Sequence, residues 1–176
     1  MRNIIFLDID GVMNCQDYFS LPKFDRRNRF HKPCVDALNE LIVQSNADIV
    51  ISSTWRSRGL EEMKKVWFIN NMKGNIIGVT PRLDDQIRGI EIGQWLSDND
   101  FKHINYCAIE QQMYMDRSKI NNFVIIDDDS DMLYNQRNNF VHVKSWKGTD
   151  GFSNVHREQA LKILNQTYIE TNNSGD

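Results

Sequence analysis

The chain has few cysteines, almost no excess charge of either sign and no long apolar run, and each shortage excludes a class of protein. Its three cysteines, Cys15, Cys34 and Cys107, are odd in number, far apart and without a CxxC pair. That spacing argues for reduced thiols and against a disulfide framework or a zinc site. A net charge of -3 is too small for a protein that coats nucleic acid by bulk electrostatics. No stretch approaches the roughly 20 apolar residues that cross a bilayer. At the N-terminus, MRNIIFLDID puts acids where the apolar part of a signal peptide would continue. A cytoplasmic protein with no membrane contact is expected. No internal repeat, low-complexity linker or shift of composition marks a second domain. What remains is ordinary globular usage over 176 residues, 40% hydrophobic and 26% charged, which fits one domain over residues 1–170 and a frayed polar tail, TNNSGD, over 171–176.

Apolar runs that end in polar side chains organise this domain. NIIFLD at 3–8 is nearly continuous in apolar residues, the pattern of a strand buried on both faces of a parallel sheet. DIVI at 48–51 runs into the hydroxyls Ser52, Ser53 and Thr54, and FVII at 123–126 runs into Asp127, Asp128 and Asp129. Further strands are predicted at 75–79 and 140–143. Helices are predicted from Pro33, with Val35, Leu38, Leu41 and Ile42 at helical spacing, over 59–70, around 90–96 with Ile90, Ile92 and Trp95 inward, and over 155–164. Segment 98–121 has no clear period. Strands separated by helices predict an α/β fold, a doubly wound, Rossmann-like, three-layer domain around a parallel sheet. Such sheets bind ligands beyond the strand C-termini, so Asp8, Ser52 and Asp127 should meet in one crevice.

Asp8 and Asp10 stand two apart where the first strand gives way to Gly11. Two acids so close repel unless a cation lies between them, and a hard divalent ion with oxygen ligands, Mg²⁺, suits that need. Asp127 and Asp128 would add further ligands. A single DxD is more often a solvated turn or a helix cap. Three chemically matched strand ends are harder to explain that way.

LDIDGV, ISS and VIIDDDSD, in that order over residues 8–131, resemble the first, second and fourth motifs of the haloacid dehalogenase (HAD) superfamily. The resemblance implies a magnesium-dependent phosphohydrolase in which Asp8 attacks phosphorus and Asp10 acts as general acid and base while its main-chain carbonyl helps hold the metal. Ser52, or Ser53 if the strand ends one residue later, would bind a phosphoryl oxygen. Asp127 and then Asp128 would ligate the metal, with Asp131 as a further acid behind them. The basic third motif is best matched by Arg88 in RGIEIGQWL, a departure from the usual lysine; the bland alternative is a solvated arginine at a helix start. Arg56 in STWR is a second candidate for phosphate contact, although stacking on Trp55 would also account for it. DGVMN, ISSTWR, RGIEIGQWL and IIDDDSDM together look like the small HAD domains of RNA-repair proteins and are similar to the phosphatase half of phage-type polynucleotide kinase/phosphatases.

The segment 14–32 is long enough for a flap but not for a large cap domain. It mixes Tyr18, Phe19, Phe24 and Phe30 with Lys23, Arg26, Arg27, Arg29 and Lys32. Cations attract phosphate and rings stack bases, so a nucleotide or a polynucleotide end phosphate is the expected substrate, with Arg26, Arg27 and Arg29 in contact with it. Solvated charges around an anchored loop are the plain alternative. A domain that binds phosphorylated ends without cleaving them, a receiver-like domain, and a small-metabolite phosphatase or phosphotransferase of the same fold are the competing functions. The receiver-like order of acids does not match, since the presumed nucleophile lies on the first strand here. The four histidines share no spacing and are expected outside the site, with His142 on the outward side of its strand. Trp67, Trp95 and Trp146 are expected in the core or at its margin, and Met113 and Met115 within an irregular insertion.

Overall fold

The computed structural model describes residues 2–15, 30–99, 120–144 and 151–166. The runs predicted as strands form one five-stranded parallel sheet: β1 (Arg2–Leu7), β2 (Ala47–Ile51), β3 (Ile76–Val79), β4 (Ile120–Asp127) and β5 (Phe140–His142), in the order β3-β2-β1-β4-β5. Helices alternate with them: α1 (Lys32–Ser45), α2 (Leu60–Ile69), α3 (Arg88–Asp98) and α4 (Asn154–Leu164), joined by short 3₁₀ turns at Thr54–Arg58 and Tyr134–Asn139. Among the described residues no helix is long and apolar enough to cross a membrane, and no cap domain covers the strand ends.

The period of two explains why β1 lacks polar alternation. Ile5 and Leu7 face a core completed by Leu38 and Leu41 of α1, Met63 and Val66 of α2 and Leu164 of α4. Ile4 and Phe6 face the opposite core, with Ile92, Trp95 and Leu96 of α3. Phe6 meets Trp95 edge-on at 5.4 Å between ring centroids. Both faces are covered, so both must be apolar. Each fully buried side chain of this size contributes about 1.5–3 kcal/mol. Exposed pairs such as Lys32 with Asp36 are worth about 0.3–0.5 kcal/mol, so burial holds the sheet. Pro33 lies in the first turn of α1, and Asn46 closes that helix in the left-handed conformation at φ 49°, the expected signals for its two ends.

The chain moves from β1 outward through β2 to β3, then returns to the other side of β1 for β4 and β5. The reversal lies between β1 and β4, and crevices form at such switch points. Registry fixes what lines this one. Leu7 pairs with Ile51 on one side and with Ile126 on the other. The Asp8 amide therefore donates to Ile126 O at 3.0 Å and the Ser52 amide to Leu7 O at 2.9 Å, so Ser52, Asp8 and Asp127 stand side by side.

Helix α3 departs from expectation on one face. Ile90 is only half-buried, while Glu91 is buried beside Ile92 and Trp95. Trp67 is buried as expected. Trp146, Met113, Met115, Tyr18, Phe19, Phe24, Arg26, Arg27, Arg29 and the 171–176 tail lie outside the described residues, as does most of segment 98–121.

Candidate active site at the strand ends

Asp8 is the centre of the crevice. One oxygen, Oδ1, accepts from Arg88 at 3.1 Å, and the same guanidinium nitrogen lies 3.4 Å from Asp127 Oδ2. Asp8 also shares a hydrogen bond with the Ser53 hydroxyl. Of the two serines kept open by the sequence, Ser53 is thus the one whose side chain touches Asp8. Ser52 is buried with no hydrogen-bond partner on its hydroxyl. The strand ends at Ile51, and Ser53 stands at the start of the 3₁₀ turn Thr54–Arg58.

Asp10 is exposed at the rim. Asn14 Nδ2 donates to its Oδ1 at 3.2 Å and Trp55 Nε1 to its Oδ2 at 2.9 Å, which aims the carboxylate. Neither partner was foreseen: Trp55 lies 45 positions from Asp10 in sequence, and Asn14 comes back to it only through the turn after β1. Trp55 is in turn covered by Arg58, 4.0 Å above its ring. The expected stacking of Arg56 on Trp55 is therefore made by a different arginine.

Arg56 turns the other way. Its Nη2 donates to both Glu91 oxygens, at 2.6 and 2.7 Å, and its Nη1 to Ser53 O at 3.0 Å. Glu91 also accepts from the Leu83 amide at 3.2 Å and lies 3.9 Å from Arg88 Nε. Glu91 is the group that sequence reading missed. One signal could have found it: an acid at i+3 from Arg88 on the apolar face of an amphipathic helix, where it must be paired to be buried.

Arg88 opens α3, and the end of that helix is docked tightly. Its amide donates to Asp131 Oδ2 at 3.0 Å, so Asp131 satisfies a free helix N–H and stands at the start of α3. A Cβ on Gly89 would meet Leu133 N at 2.5 Å, and Gln136, fully buried, bonds the Gly89 carbonyl at 2.8 Å. His142, expected to face outward, is half-buried; its Nε2–H donates to the Asp128 carbonyl at 2.9 Å, while the Asp129 amide donates to Asp127 Oδ1 at 3.0 Å. The acidic loop is thereby pinned.

Asp8, Asp127 and Asp128 each present a carboxylate oxygen within 4.8 Å of the others. Burial, with help from Asp128 and Asp10 and against Arg88, pushes Asp8 up to about 7 from 3.8. Burial, then Asp8, pushes Asp127 up to about 8. One arginine does not neutralise three converging acids. A donor set of hard oxygens whose own repulsion disfavours ionisation fits a divalent cation of the magnesium type.

These shifts have a measurable sign. Raised folded-state values favour the protonated acids, so the stability they contribute is complete below about 4 and is lost as pH rises through 7 to 8. Melting temperatures of metal-free protein in chelator should fall across that window, and Asp127→Asn should flatten the decline. An equal slope in both proteins would show that these acids are not its source.

Gly11 makes room for the cluster. Its φ is +81° and an added Cβ would lie 2.1 Å from Asp128 Oδ2. Gly11→Ala must both strain the turn, by about 1–2 kcal/mol, and displace Asp128. Urea unfolding should register the first effect and weakened divalent-ion binding the second. Unchanged ion affinity would exclude Asp128 as a ligand.

A model of the family described as the HAD domain in Swiss Army Knife RNA repair proteins matches residues 4–154. No curated protein matches the chain, and no solved structure does.

Proposed function

The chain belongs to the family of HAD domains in Swiss Army Knife RNA repair proteins, and from that premise we propose that it is a phosphomonoester hydrolase acting on a polynucleotide end phosphate through an aspartyl-phosphate on Asp8. The observation that carries this reading is the pairing of two unlike acids. Asp8 is buried among Ser53, Arg88 and Asp127, while Asp10 is exposed and aimed by Trp55 and Asn14. A nucleophile needs the first environment and a proton carrier the second.

In the proposed reaction an Asp8 oxygen forms a bond to phosphorus as the bond to the leaving oxygen breaks, and Asp10 gives that oxygen its proton. Asp10, now ionised, then takes a proton from a water that attacks the phosphorus of the aspartyl-phosphate. Inorganic phosphate leaves and both acids return to their starting states. Arg88 and Ser53 offset charge on the phosphoryl oxygens and on Asp8. Magnesium, held by Asp8, Asp127 and Asp128 with the Asp10 main-chain carbonyl, would supply positive charge that keeps Asp8 ionised near neutrality. Glu91 fixes both arginines, which makes Arg56 a positioning residue in this reading.

The open rim and the family favour a bulky substrate, and Arg26, Arg27 and Arg29 are proposed to contact its backbone. The test is phosphate release, with and without magnesium, from mononucleotides, 3′- and 5′-phosphorylated oligonucleotides and sugar phosphates. The reading expects magnesium-dependent release, highest for one class of oligonucleotide end, and a higher KM when the three arginines are neutralised together. Equal turnover across the panel would remove the polynucleotide assignment. No release at all, with phosphorylated ends still bound by wild type and Asp10→Asn alike, would make the domain a binding module.

A further inference from the structure

Three soft or borderline donors that the aspartate cluster does not include converge between the turn after β1 and the start of α1. Cys15 ends the turn after β1, His31 is the residue before α1, and Cys34 lies in the first turn of α1. His31 Nδ1 is 3.2 Å from Cys15 Sγ and 3.7 Å from Cys34 Sγ. Both thiols are buried, and the three donor atoms lie within 4.8 Å of one another. His31 occupies the N-cap position but makes no side-chain cap to the helix; its ring faces the two sulfurs.

We propose that Cys15, His31 and Cys34 form a zinc site with three protein ligands. Tetrahedral zinc with Zn–S near 2.3 Å and Zn–N near 2.05 Å separates sulfur from nitrogen by about 3.6 Å, and the two observed separations lie on either side of that value. Two thiolates and an imidazole select zinc over magnesium, whereas the carboxylates of the active site favour the opposite. Spacing along the chain hides the site, since fifteen intervening positions separate Cys15 from His31 and no CxxC is formed. The ends of the site are braced independently: the His31 amide donates to Met13 O at 3.0 Å and the Phe152 amide to Val12 O at 2.9 Å. A Cβ on Gly151 would come within 2.9 Å of Cys34 Sγ and 3.1 Å of Cys15 Cβ, so the space behind the sulfurs is already filled. The ion would join Cys15, at the end of the turn after β1, to His31 and Cys34 at the start of α1.

The site is independent of the phosphatase reading, and so is its test. Protein purified under reducing conditions without added chelator is analysed for metal content, then stripped and titrated with Zn²⁺ against a chromophoric chelator. Wild type should bind close to one zinc per chain, and cobalt substitution should give thiolate charge-transfer bands with tetrahedral d–d absorption. Cys15→Ala and His31→Ala should each weaken zinc binding by about tenfold or more, on the scale of a disturbed metal shell, while Asp127→Asn retains it. Zinc should raise the melting temperature of wild type and not of Cys15→Ala. If Cys15→Ala fails to fold, the cobalt spectrum of wild type decides alone. Absence of stoichiometric zinc, loss of zinc in Asp127→Asn with retention in Cys15→Ala, cobalt bound without thiolate bands, or a Cys15–Cys34 disulfide in the purified protein would each overturn the assignment.

Discussion

Asp8→Asn is expected to lower phosphate release by about 10⁴-fold or more, the scale on which removing a covalent nucleophile acts, and at the same time to raise the melting temperature of the metal-free protein above neutral pH. The two effects share one cause. Burial and the neighbouring acids make an ionised Asp8 unfavourable, against the pull of Arg88, so a neutral isostere relieves the fold while removing the nucleophilic oxygen pair. Activity assays with magnesium and melts in chelator at a pH of about 8.5, above both raised values, read the two sides separately. A variant that keeps more than about a hundredth of wild-type turnover would exclude Asp8 as nucleophile, because positioned binding alone does not substitute for covalent catalysis. Lower stability at high pH would mean that the Arg88 contact outweighs the repulsion.

Arg88→Met should cost about 10²–10³ in kcat, or about 3–4 kcal/mol of transition-state stabilisation, as loss of a preorganised donor does. It should also steepen the loss of stability with rising pH, since Asp8 and Asp127 both lie against this guanidinium. Arg88→Lys should recover part of the rate. An ammonium supplies the charge, but it is a point donor where the planar guanidinium reaches Asp8, Asp127 and Glu91 from one position. Steady-state kinetics separates the cases: a purely structural arginine would show equal kcat for all three proteins once folded. Glu91→Gln tests its anchoring, and should raise KM or lower kcat.

The parts of the fold that were legible in the sequence share a physical property. Strands buried on both faces have to be apolar along their whole length, so NIIFLD, DIVI and FVII could be read without knowing their neighbours. Their polar ends could be read too, and parallel registry brings Asp8, Ser52 and Asp127 abreast because adjacent strands run the same way. Arg88 was legible as a basic residue opening a helix, and it lies in the crevice. The choice of Ser53 over Ser52 was not, since it depends on how the chain turns after Ile51 into the 3₁₀ segment. Trp55, Asn14, Glu91 and His142 escaped for a different reason. Trp55 acts on Asp10 and Glu91 on Arg56 from far away in sequence, whereas Asn14, only four residues from Asp10, depends on the fold of the turn after β1.

Arg56 illustrates the limit. Its neighbour in sequence offered a ring to stack on, but a buried carboxylate from α3 holds its fork in two short bonds instead. The Cys15, His31 and Cys34 cluster shows the same effect in the opposite direction. Nothing in its spacing suggests a ligand set, and only the turn after β1 and the start of α1 bring the donors within reach.

By itself the sequence determined the α/β class, the parallel sheet and the set of acids and hydroxyls at its C-terminal edge, because hydrophobic periodicity and strand-end chemistry are local properties of the chain. The tertiary structure decided which serine touches Asp8, what aims Asp10, what holds Arg88 and Arg56, and where two thiols meet an imidazole. Those are contacts between side chains brought together by strand order and helix docking, and their energies depend on burial and distance that no local pattern encodes.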